Sequence, residues 1–238
     1  MPDRTRRNFL FQASATASGL LLPTLTLAQT TKKTDHKAKQ TKAKKEEEVT
    51  PNEDLMREHG LLRRILLVYD ESVRRLTSSH DFDPATVTSC ADIVRQFVED
   101  YHEQLEQKYI FPHLQKGDTK SLVDTLLQQH QVGRTLTDRI KQHAFSAPKN
   151  KDDAKALADA INKFQTLYRP HAAWEDTIVF PAFKKAVGQH TYEGLGEDFE
   201  RIEHQHFGED GFEMVLEKVH QLEVKLGIGD PSHYTPST

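Results

Sequence analysis

Two segments of the chain repeat one arrangement of residues that can bind metal. In each segment a Glu follows a His by four residues, and a Phe-Pro pair begins nine residues after that His: His102, Glu106 and Phe111-Pro112 in the first, and His171, Glu175 and Phe180-Pro181 in the second. Another His lies upstream of each, His59 at 43 residues before His102 and His130 at 41 residues before His171. Imidazole and carboxylate groups repeated in this way are typical donors of a two-metal site.

The spacing within each pair decides which way the side chains point. Residues four apart in a helix lie on the same face, so His102 and Glu106 point together, as do His171 and Glu175. Burying two carboxylates costs several kcal/mol each unless they are paired or bound to metal. Lys and Arg do not occur at matching positions of these inner stripes. We therefore expect metal ions between the two carboxylates, with Glu106 and Glu175 bridging.

The donor types restrict the metal. Imidazole with carboxylate and without thiolate suits iron, manganese or zinc, and di-iron and di-manganese carboxylate sites are built inside helical bundles. Cys90 is the single cysteine, which excludes a thiolate cluster and an intrachain disulfide, and we interpret it as a small buried apolar residue. Four His and two bridging Glu do not complete two octahedral shells, so positions remain for a small ligand such as dioxygen, nitric oxide or peroxide.

Apolar residues recur every three or four positions in four long segments, a pattern typical of bundle helices. The predicted helices run from Asn52 to Leu76, from Pro84 to about Phe111, from Asp118 or Thr119 to about Ala147, and from Lys151 to Gly188. All four proposed His ligands fall on these apolar faces. Short connections predict an all-α, up-down-up-down four-helix bundle over residues 51–188. A C-terminal helical extension and tail follow at 189–238, with a fifth helical region at 192–226.

The first 28 residues resemble a twin-arginine export signal. Arg6-Arg7 precedes Phe9-Leu10, and a mildly apolar run then ends at Ala28. Polar residues, Gly and Pro interrupt this run, which makes it a poor permanent membrane span. The alternative is a disordered basic tail. We expect the twin-arginine translocase as a partner during export, and a periplasmic or otherwise exported location.

Charge and composition bear on other partners. Residues 29–50 are rich in Lys and Glu and almost free of apolar side chains, which predicts a disordered linker. Contact of its basic stretch with anionic lipid is the less favoured alternative. The chain has 238 residues and a formal charge of −4. This balance predicts no polyanion-binding surface, so nucleic acid is not an expected partner.

The four His and the two His/Glu pairs resemble the pattern of the bacterial hemerythrin-like, or HHE cation-binding, domains. The similarity spans about Asn52 to Gly188. It implies a four-helix bundle that holds a non-haem di-iron centre, that is, two iron ions, with manganese or zinc as less expected substitutes. The ligands that the resemblance implies are four His and three Glu: His59, His102, Glu103, Glu106, His130, His171 and Glu175.

Glu103 belongs to this set on the resemblance alone. In some similar domains the Glu directly after the second-helix His also binds iron. Helical geometry by itself places Glu103 about 100° round the helix from His102 and therefore on the exposed face.

The chain departs from the invertebrate oxygen carriers of this group at two positions. Those proteins place a second His four residues after the third-helix His, where this chain has Arg134. They also use an Asp five residues after the last His, and Asp176 stands there, but Glu175 fits the internal repeat better. One His ligand is therefore missing unless His204 or His206 replaces it, which argues against simple reversible oxygen carriage.

Four functions remain open from the sequence. The first is an exported module that binds or senses dioxygen, nitric oxide or iron, and the second is a di-iron enzyme of peroxide reduction or nitrosative-damage repair. A ferritin-like oxidase needs a Glu three residues before a His on two helices. Glu99 before His102 and Glu203 before His206 satisfy this locally, but Tyr168 occupies the matching position before His171, so the internal repeat argues against that class. A purely structural bundle is the fourth.

Overall fold

Helices account for nearly all of the residues that the structure describes. The computed structural model describes residues 49–78, 81–209 and 211–236, and no strand occurs among them. The predicted all-α fold class is confirmed for this part of the chain. The predicted signal peptide at 1–28, and all but the last two residues of the predicted linker at 29–50, lie outside the described residues. Within the described ranges, no helix combines the length and the apolar character needed to cross a membrane.

The first two helices begin at side-chain caps. Helix α1, Pro51–Thr77, starts at Thr50, whose hydroxyl accepts a hydrogen bond from the Glu53 N–H while the Glu53 carboxylate accepts one from the Thr50 N–H. Helix α2 starts after Asp83, whose carboxylate accepts from the Ala85 N–H. It continues through five segments, of which the second and fourth are wide, π-type turns: Pro84–Ile93, Val94–His102, Glu103–Leu105, Glu106–Ile110 and Phe111–Leu114.

The third and fourth helices form the second half of the core. Helix α3, Lys120–Ala144, follows a 3-10 turn at Gly117–Thr119, so the predicted start at Asp118 or Thr119 falls inside that turn. Helix α4 begins after Asn150, whose side chain accepts hydrogen bonds from two backbone N–H groups. Its three segments are Lys151–Trp174, the π-type turn Glu175–Val179, and Phe180–Val187.

The C-terminal extension contains two helices rather than the one region expected at 192–226. Helix α5 spans Gln189–Phe207 and helix α6 spans Gly211–Lys225. Gly208 follows α5 with a φ of 85°, a left-handed conformation that glycine adopts without strain and that ends the helix. The predicted tail includes a 3-10 turn at Pro231–Tyr234.

The helix contacts form a closed ring. Helix α1 packs against α2 and α4, α2 packs against α3, and α3 packs against α4. Helices α5 and α6 pack on α1. Buried Leu, Val, Phe and Tyr side chains fill the space between the helices, and Cys90 is fully buried with them. This arrangement is compatible with a four-helix bundle, and the up-down-up-down order of its helices stays a prediction.

Candidate metal centre

Six of the seven predicted ligands meet in the interior of the bundle. Each is 3% exposed or less: His59, His102, Glu106, His130, His171 and Glu175. They fall into two groups that share Glu106; one also contains His59 and His102, and the other contains the remaining three. Within each group one donor atom per residue lies within 4.8 Å of the others, close enough to hold a cation. The sequence repeat therefore converges on a metal-binding centre.

The imidazoles face one another in two pairs. Nε2 of His59 lies 3.1 Å from Nε2 of His102, which we call the first pair. Nε2 of His130 lies 3.2 Å from Nε2 of His171, the second pair. Two nitrogens bound to one ion at about 2.1 Å would be roughly 3.0 Å apart in cis octahedral positions and about 3.4 Å apart in a tetrahedron. Both observed separations lie between these values, so each pair is spaced to share a cation.

Glu106 spans the two histidine pairs. Its Oε1 is 3.6 Å from Nε2 of His102, and its Oε2 is 3.5 Å from Nε2 of His130. Both oxygens are buried and have no hydrogen-bond donor among the described residues. Burial, together with the neighbouring charge of Glu175, raises the pKa of Glu106 well above its ordinary value. A cation would supply the partner that this carboxylate lacks.

Glu175 occupies the equivalent place from the other half of the chain. Its Oε2 is 3.3 Å from Nε2 of His59 and 3.1 Å from Nε2 of His171. Burial by itself would raise the pKa of Glu175, but His171 and His59 outweigh it and lower that pKa. In the described part of the chain, neither oxygen receives a well-directed hydrogen bond. Glu175 is thus an anion that touches both pairs, which is the arrangement expected of a bridging ligand.

Burial opposes the protonation of His59, His102 and His130. It lowers the pKa of His130 to about 3 and the pKa of His102 well below its ordinary value. At His59 burial also opposes protonation, but the hydrogen bond with Asp176 and the contact with Glu175 outweigh it, and the pKa of His59 is raised. Neutral imidazole is the form that binds metal. Asp176 and Glu175 stabilise a positive charge at His59, and a bound metal ion can supply that charge in place of a proton.

Every imidazole is held from behind through its Nδ1 atom by a neighbouring helix. The four contacts are Glu58 Oε2 at 2.6 Å from His102, Asp176 Oδ1 at 2.6 Å from His59, Gln129 Oε1 at 2.8 Å from His171, and Gln107 Nε2 at 2.8 Å from His130. A Gln amide can turn end for end in the same space, and with its oxygen toward the ring the Gln107 amide accepts the Nδ1 hydrogen of His130. These contacts direct the Nε2 atoms inward. The sequence pattern did not reveal them, although each partner stands directly beside a predicted ligand in the chain.

The repeated Phe-Pro pairs pack against the centre. Phe180 stacks on the His59 ring with centroids 5.5 Å apart and 18° between the planes, and Phe111 stacks on the His130 ring at 5.7 Å and 20°. Each Phe follows a π-type turn, and its N–H donates to the carbonyl of the Glu five residues earlier, Glu106 or Glu175. The Pro that comes next has no N–H to continue the regular helix ladder. The repeat therefore places an apolar ring over one imidazole of each pair.

Glu103, the seventh predicted ligand, lies outside both groups. It is buried, and not on the exposed face where helical geometry alone places it. Its carboxylate accepts a hydrogen bond from the Tyr168 hydroxyl at 2.8 Å and lies 2.7 Å from the guanidinium of Arg134. Its Oε2 is 3.9 Å from Nδ1 of His130, the nitrogen that points away from the centre. Gly133 makes room for Tyr168, because a Cβ there would come within 2.1 Å of the hydroxyl.

His204 and His206 do not join the centre. Both are exposed on α5, and the His206 ring lies 5.8 Å from the ring of Tyr101. Neither therefore supplies the missing His. Arg134, which stands where the oxygen carriers have that His, is the ion partner of Glu103.

The family comparison agrees with this geometry. The model of the hemerythrin HHE cation-binding domain matches residues 50–183. The chain belongs to this family. The match includes both repeated halves and every residue of the buried cluster, so the resemblance inferred from the repeat is confirmed at the level of the family.

Relatives of this hemerythrin HHE protein occur in mycobacteria. Proteins of Mycobacterium bovis and of two Mycobacterium tuberculosis strains are each 39% identical over 239 residues, which covers 99% of this chain and 93% of each relative. Each of them is called an uncharacterized protein. No solved structure matches the chain. Metal binding therefore rests on the family and on the buried His/Glu cluster.

Proposed function

We propose that this hemerythrin HHE protein holds two iron ions and binds or senses a small ligand such as dioxygen or nitric oxide, or iron itself. One observation carries the proposal. All four carboxylate oxygens of Glu106 and Glu175 are buried between two histidine pairs, and none receives a well-directed hydrogen bond from the described residues. One cation would serve one pair only, whereas two cations account for both pairs and for both carboxylates.

The proposed donors divide evenly between two ions. In this proposal His59 and His102 would bind one ion, and His130 and His171 would bind the other. Glu106 and Glu175 would be shared by both ions. Imidazole and carboxylate without thiolate suit iron, and manganese or zinc is less favoured. Glu103 stays a candidate ligand, but it would have to exchange its contacts with Arg134 and Tyr168 for the metal.

The chain's own residues prepare the centre for a small ligand. Iron, when bound, supplies open coordination positions at which such a ligand can attach. Phe111 and Phe180 cover two of the imidazoles and limit the access of water. The contacts at the outer nitrogens fix the ring orientations before metal enters, which reduces the reorganisation that binding requires. A buried site of this kind, with apolar rings over two of its imidazoles, suits a diatomic ligand better than a large substrate.

An enzyme of peroxide reduction or nitrosative-damage repair is the second candidate, and one group of residues favours it. Tyr168, Glu103 and Arg134 form a connected polar chain beside His130. The Arg134 side chain is 19% exposed, so this chain extends toward solvent. A hydroxyl and a carboxylate in this position can hold a proton near the centre, as peroxide reduction requires.

We also propose that the protein is exported. The Arg6-Arg7 pair and the apolar run that ends at Ala28 support a twin-arginine signal, with residues 29–50 as a linker. The alignment with the mycobacterial relatives covers 99% of the chain and so extends well before the family region. In cell fractionation, the protein should appear in the periplasm or outside the cell, and a variant with Arg6→Lys and Arg7→Lys should remain in the cytoplasm. Equal distribution of the two proteins would contradict the proposal.

Absorption spectroscopy of the purified full chain tests the functional proposal. We expect iron-dependent charge-transfer bands in the aerobic protein. A stoichiometric and reversible spectral change on addition of nitric oxide or dioxygen to the reduced protein supports ligand binding. Repeated consumption of peroxide in the presence of a reductant favours the enzyme. The absence of an iron-dependent band in a folded, iron-supplemented sample would contradict both.

A further inference from the structure

The two halves of the centre differ in the charge of the residues that hold the imidazoles from behind. Glu58 and Gln129 occupy equivalent places in the repeat, because each directly precedes the upstream His of its half. Asp176 and Gln107 are also equivalent, since each directly follows a bridging Glu. As a result, the first histidine pair is held by two carboxylates, and the second pair is held by two amides.

We propose that the two metal positions of the centre have unequal affinity and that the first pair binds its ion more tightly. This inference rests on the proposed two-ion centre. A carboxylate that accepts the Nδ1 hydrogen makes the imidazole a stronger donor to metal than a neutral amide does. Glu58 and Asp176 both lie 2.6 Å from their imidazoles, whereas Gln129 lies 2.8 Å away. The first position therefore fills first, and the second holds the more readily exchanged ion.

The other charges around the two pairs preserve this difference. Arg63 pairs with Asp176, and its side chain is 47% exposed, so solvent screens part of its charge. The first pair thus faces two carboxylates and one screened cation, and carboxylate oxygens of Asp54 and Glu203 lie within 4.8 Å of Glu58 and add to the negative charge. The second pair faces Glu103 and Arg134, which lie 2.7 Å apart and largely neutralise each other. A net negative charge remains only beside the first pair.

Titration of the metal-free full chain with Co(II) measures the two affinities. The absorption of each bound ion reports the occupancy, and circular dichroism shows that each sample is folded. Removing an outer partner of a metal-bound His typically changes metal affinity by about 10- to 100-fold. We therefore expect two binding steps in the wild type, with dissociation constants that differ by at least about tenfold.

Substitutions assign the two steps to the two pairs. Glu58→Gln keeps a hydrogen-bond acceptor and removes its charge, so it should weaken the first step about tenfold or more and leave the second in place. Gln129→Glu should strengthen the second step. The combination of both changes keeps the net charge constant and should narrow or reverse the difference. Glu71→Gln is the matched control, because it removes a carboxylate of the same helix that is paired with Arg74 and Arg75, and it should move neither step.

The possible results separate this inference from the proposed function. Two equal affinities in the wild type, or a second step that Glu58→Gln weakens, would overturn the inequality and leave the two-ion centre standing. Binding of fewer than two Co(II) ions per folded chain would overturn the two-ion centre and the inequality with it. If Glu58→Gln does not fold, the separation of the wild-type steps and the effect of Gln129→Glu still decide the question.

Discussion

Replacing Glu106 with Gln should stabilise the metal-free protein and abolish the stabilisation that metal provides. Glu106 is fully buried, its two carboxylate oxygens lack a hydrogen-bond donor among the described residues, and burial raises its pKa well above the ordinary value. Gln has nearly the same shape and carries no charge that must be desolvated. The metal-free variant therefore avoids a penalty that the metal-free wild type retains.

Proton linkage gives the sign and the size of this effect. A carboxyl group whose pKa is raised in the folded state keeps its proton there while the unfolded chain loses it. Below the ordinary Glu pKa of about 4.3 the group is protonated in both states and costs the folded protein nothing. As the pH rises above that value, the free energy of unfolding falls. At about 1.4 kcal/mol for each pH unit, the penalty at pH 7 is at most about 3.7 kcal/mol. Burial of the Gln amide offsets part of the gain, so we expect a net stabilisation of about 1 to 3 kcal/mol at pH 7 and less than about 1 kcal/mol at pH 5.

Urea denaturation of chelator-treated and iron-reconstituted protein at both pH values measures these differences. Metal should increase the free energy of unfolding of the wild type and have little effect on Glu106→Gln. Glu71→Gln is the control: Arg74 and Arg75 lower the pKa of Glu71 against the effect of burial, so its loss should destabilise both forms by about 1 kcal/mol. A metal-free Glu106→Gln protein that is less stable than wild type at pH 7, or a difference that does not change with pH, would refute the reasoning.

Three further predictions concern residues around the centre. Gly133→Ala should lower the free energy of unfolding by about 1 to 3 kcal/mol, because its Cβ would lie 2.1 Å from the Tyr168 hydroxyl; a loss that persists when Tyr168→Leu is added would show that the cause is not steric. Burial raises the pKa of the Cys90 thiol, so a thiol reagent should modify it only after unfolding, and rapid modification of the native protein would contradict its burial. Replacing His204 and His206 together with Ala should leave the metal content unchanged, since both are exposed on α5; loss of an ion on metal analysis would show that one of them is a ligand.

The parts of the fold and the centre that depend on spacing could be predicted from the sequence. His59 and His130 lie on apolar helix faces, and a Glu four residues after a His must share its face, so the convergence of the cluster follows from helix geometry. The start of α2 at Pro84 follows from the cap Asp83 and the proline after it, whereas the start of α1 was predicted at Asn52 from periodicity and lies one residue earlier, at Pro51. The Phe-Pro repeat was visible, but its stacking on the imidazoles was not.

The parts that depend on packing between helices could not be predicted. Glu103 directly follows His102 and should face outward on an ideal helix, but α2 contains the wide turn Val94–His102 just before it. Gly133 on α3 also lets the Tyr168 hydroxyl reach the Glu103 carboxylate. Glu103 is therefore buried with partners from two other helices, Tyr168 and Arg134. The contacts behind the imidazoles have the same origin, because each joins residues on different helices. The division of the C-terminal region into two helices depends on the backbone conformation at Gly208, which a lone Gly does not specify.

Anomalous X-ray diffraction at the iron absorption edge, from crystals of the iron-reconstituted full chain, tests the two-ion centre most directly. We predict two peaks inside the bundle, one bounded by His59 and His102 and the other by His130 and His171, with a carboxylate from the shared cluster beside both. A single peak, or no peak among these side chains in iron-loaded crystals, would contradict the proposal.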